Sequence, residues 1–101
     1  MKLIGEMSEM IEDEIEGANE YIMKAYELRE SNPTLSRLFC TLANEELTHI
    51  DRLHGAVVTL ITDYRNTNGE PPEPMMAVYD YLHKKHIDKA AKVRALVNTY
   101  K

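Results

Sequence analysis

Glu46 and His49 stand three residues apart in the run Glu46-Leu47-Thr48-His49, a carboxylate and an imidazole that share one face of any helix carrying them. Their neighbours at helical spacing are apolar. Leu35, Phe39, Leu42, Leu53, Val57, Leu60 and Tyr64 define a stripe with Glu46 near its centre and His49 inside it. A second stripe, formed by Met7, Met10, Ile11, Ala18, Tyr21, Ala25 and Leu28, holds Glu14 as its only carboxylate. Ionisable groups set among apolar ones need an opposite charge or a metal ion to compensate their lost hydration. Carboxylates combined with imidazole suit iron or manganese, whereas thiolates would suit zinc or an iron–sulfur cluster, and Cys40 is the only cysteine.

The elements that must position these residues are marked by proline and glycine. Asn32-Pro33 breaks the first helical stretch, and Asn68-Gly69-Glu70-Pro71-Pro72-Glu73-Pro74 separates the second from the third. The pattern predicts an all-α chain of three helices. The first runs from about Lys2 or Leu3 to Arg29 or Glu30. The second is capped by Asn32, has Pro33 at its first position and ends at about Tyr64 or Arg65. The third runs from near Pro74 almost to the C-terminus on a stripe of Met75, Val78, Tyr79, Leu82, Ala90, Val93, Val97 and Tyr100. No strand alternation and no repeat is visible.

A short connection at Asn32 forces the first two helices into an antiparallel hairpin. Glu14 lies eighteen positions before that turn, so its level on the second helix is near position 50, the level of Glu46 and His49. The Pro-rich link leaves the third helix freer. His86 falls at the centre of its stripe and His83 inside it, so both are alternative ligands. Helical rise nevertheless places His86 nearer the level of His54 than of His49, about 7 Å off along the axis. Asp80 with His83 has the same spacing as Glu46 with His49, but Asp80 points off the stripe. Glu12, Asp13, Glu16, Glu20 and Glu27 read as a solvated face. Tyr21 suits the core, with a hydroxyl that could hydrogen-bond a ligand carboxylate.

Glu14 followed seven residues later by Tyr21, and then Glu46-x-x-His49 on the next helix, resembles the first half of a ferritin-like or rubrerythrin-like di-iron bundle, in which a Glu and a Glu-x-x-His each occur twice. The pattern is also similar to the short encapsulated ferritins, in which two chains complete each di-iron centre. The runs Leu42-Ala43-Asn44-Glu45-Glu46-Leu47-Thr48-His49 and Val78-Tyr79-Asp80-Tyr81-Leu82-His83 further resemble small phage- or prophage-encoded ferritin-like proteins. The likeness covers the first two helices, roughly two thirds of the chain. It implies a ferritin-like fold whose bundle is completed by oligomerisation, with Glu14, Glu46 and His49 as ligands to iron, or manganese. Two ions per dimer interface and oxidation of Fe(II) by dioxygen or peroxide would follow. The third helix departs from the family by carrying no Glu-x-x-His, and no fourth helix is expected, so one chain holds half a site. A two-fold dimer with its hairpins face to face would supply four carboxylates and two imidazoles. The competing reading is a small helical protein-interaction module of phage type, binding an unidentified protein partner, with the polar cluster only setting helix register.

Composition bounds the rest. With 101 residues, 44% of them hydrophobic, the chain has room for a single helical domain over 1–101 and gains from self-association as a homodimer or larger homo-oligomer. A net charge of −5 argues against a general nucleic-acid or anionic-membrane binder, and Lys84-Lys85 is an isolated basic pair. The longest apolar run, Gly55 to Ile61, is too short to span a bilayer. With no signal peptide in view and one cysteine, the expectation is a cytoplasmic protein, or one that is encapsulated or phage-associated.

Overall fold

In a computed structural model, which describes residues 2–101, the chain forms three helices: α1 (Lys2–Leu28), α2 (Pro33–Asn68) and α3 (Glu73–Thr99). Among the described residues there is no strand. Asn32 begins α2 as its sequence position demands. Its side chain accepts a hydrogen bond from the Leu35 N–H at 3.2 Å, and Pro33 fills the first turn, where a missing donor costs nothing. At the other end α2 runs past Tyr64 and Arg65 to Asn68. The four polar residues after Tyr64 carry no apolar periodicity, but nothing in them breaks a helix. The break comes at Gly69, whose φ of 79° is left-handed and whose N–H bonds the Arg65 carbonyl at 3.0 Å.

The register of the hairpin is antiparallel. Ser36 Oγ bonds the Ala25 carbonyl at 2.5 Å near the turn, and Glu14 meets His49 further along. The third helix runs alongside α1 in the same direction: Glu12 pairs with Lys89, and Tyr26 donates to the Leu96 carbonyl at 2.7 Å. It lies chiefly against α1 and touches α2 more sparingly. The result is a rod of 55 × 19 × 18 Å, whose long axis matches the about 54 Å expected of the 36-residue α2.

The buried lines are rotated from the stripes drawn on sequence. On α1 they are Ile4, Ser8, Ile11, Ile15, Ala18, Ile22 and Ala25, and on α2 Ser36, Ala43, Leu47, Ile50, Val57 and Ile61. The cause is the third helix: α1 is covered by two neighbours, so its most buried line falls between them. Met7, Tyr21 and Leu28 on α1 are left half-buried, as are Leu35, Phe39, Leu42, Leu53, Leu60 and Tyr64 on α2. Small residues at the α1–α2 contact, Ala18, Ala25 and Ala43, are fully buried and let the backbones approach closely. The first half of α3 is loosely held, with Val78 59% exposed, whereas His86, Ala90, Val93 and Val97 are buried. Its end is tied down by a buried network in which Tyr100 Oη meets Ser36 Oγ at 2.5 Å. Among the described residues no helix is long and apolar enough to cross a membrane.

Candidate metal centre on the hairpin

Glu14, Gly17 and Tyr21 follow one another at helical spacing on α1, and Leu42, Glu46, His49 and Leu53 do so on α2. The antiparallel register brings the two runs side by side. His49 Nδ1 stands 3.6 Å from Glu14 Oε2 and 3.5 Å from Glu46 Oε1. One donor atom from each of the three residues lies within 4.8 Å of the others. That is about the span of one cation's ligand shell, since ligands at 2.0–2.4 Å lie up to about 4–5 Å apart. The cluster is on the flank of the hairpin and not in its centre, with side-chain exposures of 29% for Glu14, 22% for Glu46 and 47% for His49.

One detail sets the cluster apart from a fully solvated ion pair. Glu14 Oε2 is shielded from solvent yet has no hydrogen-bond partner, because 3.6 Å to His49 is too long for one. A buried carboxylate oxygen left in that state costs free energy. Gly17 lies beside Glu46, where an added Cβ would stand at an ordinary van der Waals distance of 3.5 Å from Glu46 Oε2.

Tyr21 sits one turn beyond Gly17 and packs on Phe39, with ring centroids 6.0 Å apart. Among the described residues its hydroxyl makes no hydrogen bond to the cluster, and Tyr21 packs against the core as its place in the stripe suggests. The alternative ligands His83 and His86 both lie elsewhere. Counting along the helices put His86 nearer the level of His54 than of His49, and His86 does line a cleft with His54 that His49 does not reach. The direct contact to His54 is made one turn earlier, by His83, with Nδ1 and Nε2 2.9 Å apart. The Pro-rich link does not fix the axial level of α3 to within a turn.

His86 pairs with Glu12, a residue expected on the solvated face. Its Nε2 is 3.0 Å from Glu12 Oε2 but poorly aligned for a hydrogen bond, and Lys89 Nζ contacts Glu12 Oε1. Glu12 faces α3 because α3 covers that side of α1, so a position that is outward in the hairpin is interior to the three-helix rod. The pattern His86-x-x-Lys89 within the apolar stripe of α3 was the available signal, since two basic groups at helical spacing call for an acid opposite. The Lys89 ammonium holds the Glu12 carboxyl below its usual range. Burial pushes the His86 imidazole down despite the neighbouring Glu12 carboxylate, with Lys85 and Lys89 acting in the same direction as burial.

No protein-family profile, curated protein or solved structure matches this chain. The chemistry of the site must therefore be read from its own side chains.

Proposed function

We propose that the chain is a ferritin-like metal protein in which Glu14, Glu46 and His49 form half of a di-iron, or di-manganese, centre that a second copy completes across a two-fold axis. The observation that carries this reading is the shielded, unbonded Glu14 Oε2 facing an imidazole and a second carboxylate. A cation supplies the compensation that this oxygen lacks, and the two-carboxylate, one-imidazole donor set suits iron or manganese.

The surroundings support pairing with a second copy. The cluster sits midway along a seam of half-buried apolar side chains, with Met7 and Tyr21 from α1 and Phe39, Leu42 and Leu53 from α2. Leu3 and Met10 on the same line are each 53% exposed. Such a seam is stabilised when an identical seam covers it, and a two-fold axis then sets each ligand against its copy.

The residues divide the work by type. Glu14 and Glu46 supply anionic oxygens that can bridge or chelate, and either can change its mode of binding as charge at the site changes. His49 supplies a neutral nitrogen and is the most exposed of the three, so it lies on the route from solvent. When bound, a pair of ferrous ions would supply one-electron reducing equivalents to dioxygen or peroxide, with iron itself the substrate in a ferroxidase role.

Metal analysis of protein expressed in iron-supplemented medium, wild type against E46A with H49A, tests this reading. Iron or manganese in the wild type and its loss in the double variant are expected. Iron or manganese in both, or in neither, would overturn it and favour an interaction module with no iron centre, in which the half-buried seam binds a different protein. Light scattering on the same samples is expected to show a smaller assembly for the variant, because ligands and interface coincide.

A further inference from the structure

A second group of metal-ligating side chains lies between α2 and α3, away from the hairpin cluster. His54 Nε2 and His83 Nδ1 are 2.9 Å apart, and their rings are nearly parallel, at 13°. Two nitrogens bonded to one cation at about 2.1 Å and at a right angle would be about 3.0 Å apart, so the pair already has the spacing of adjacent ligands. Tyr79 lies parallel to His83 as well, at 12° with ring centroids 5.6 Å apart. Both histidines open into a cleft of about 300 Å³ between the three helices, with Asp51 and His86 on its walls. The cleft gives access to water and to a cation.

Asp51 stands one turn before His54, in the spacing that Glu46 has to His49, and its charge lies close enough to act on the His54 ring. Its carboxylate is also held by Arg94 at 2.6 Å. It therefore contributes a negative field to the site while remaining tethered.

We propose that His54 and His83 form a binding site for a divalent transition cation of the zinc or copper kind, with water from the cleft in the remaining positions and Asp51 as the nearby anion. In the metal-free protein one of the two facing nitrogens carries the proton of the N–H···N bond. On binding, that ring shifts its proton to its other nitrogen by exchange with water, so both lone pairs face the cation and no net proton is released. The cation replaces a single hydrogen bond with two coordinate bonds between helices that otherwise touch sparingly, so it clamps the first half of α3 to α2. Imidazole ligands make copper the tighter binder, zinc the weaker.

This site is independent of the iron reading, and its test silences the hairpin cluster. In protein carrying E46A and H49A, Zn2+ alone is titrated calorimetrically. One equivalent per chain is expected, with a melting temperature that rises with Zn2+. H54A or H83A added to that background should weaken binding about tenfold or more, since even ligand-supporting residues cost 10–100-fold. In the same background with both histidines intact, Cu2+ electron paramagnetic resonance should show coupling to at least two imidazole nitrogens, a readout that does not depend on the added variants folding. Absence of Zn2+ binding, a smaller loss in H54A and H83A, or copper coupled to fewer than two nitrogens would each overturn the proposal and leave the pair as a hydrogen bond only.

Discussion

Replacing Gly17 by alanine probes the space beside Glu46. Gly17 lies in the interior of α1, where glycine is about 0.8–1.0 kcal/mol less favourable than alanine. The added Cβ would stand 3.5 Å from Glu46 Oε2, an ordinary van der Waals distance, so Glu46 need not move. Slight desolvation of that carboxylate offsets a few tenths of the gain, leaving a net stabilisation of about 0.5–0.8 kcal/mol. For a chain of this size that corresponds to a rise in Tm of about 2–6 °C. Gly55, in the interior of α2, has nothing within 4 Å of an added Cβ and supplies the reference. Far-UV circular dichroism melts of metal-free wild type, G17A and G55A make the comparison. Both variants should gain, with G17A slightly behind G55A. A loss of stability in G17A beside a gain in G55A would refute the reasoning, because the open space beside Glu46 would then be needed for packing in the metal-free protein.

Ser36→Ala should lower stability by about 1–3 kcal/mol, since the fully buried hydroxyl bonds both the Ala25 carbonyl and Tyr100, and hydrogen exchange should show the end of α3 loosening first. Ile22→Ala should cost about 2–5 kcal/mol in chemical denaturation, as Ile22 is among the largest fully buried side chains. His86 introduces a pH dependence whose sign follows from burial holding it below its usual 6.5. The unfolded chain takes up that proton first, so the contribution is complete above about pH 6.5 and declines as pH falls below it, with a limiting slope of about 1.4 kcal/mol per unit. Denaturation at about pH 7.5 and about pH 5.5 should therefore show a smaller acid loss in H86Q than in wild type.

The chain announces its helices openly. Asn32-Pro33 marks a cap and a start, and the Pro-rich segment after Gly69 marks a stop, because both act through the backbone within a turn of where they stand. The level match of Glu14 with Glu46 and His49 was also readable, since a short turn leaves an antiparallel pair little freedom to slide. What the chain does not announce is which line of each helix is most buried. Ile15 and Ile22 form the centre of α1 only because α3 covers the side of Glu12, and an amphipathic pattern on one helix carries no record of how many neighbours it has. The position of α3 is hidden for a related reason. A link of several residues fixes neither its rotation nor its height, so His83, not His86, faces His54. Glu12 shows the consequence for electrostatics: a residue outward on a hairpin is half-buried in the rod and paired with Lys89.

The central claim is that two copies bring Glu14, Glu46 and His49 together around shared cations. Anomalous diffraction from a crystal soaked with Fe(II), recorded at the iron edge, tests it most directly. Paired iron peaks related by a two-fold axis are expected, lying between Glu14, Glu46 and His49 of one copy and the same residues of the other. Iron bound elsewhere, or hairpin seams facing solvent with no symmetry mate against them, would contradict it.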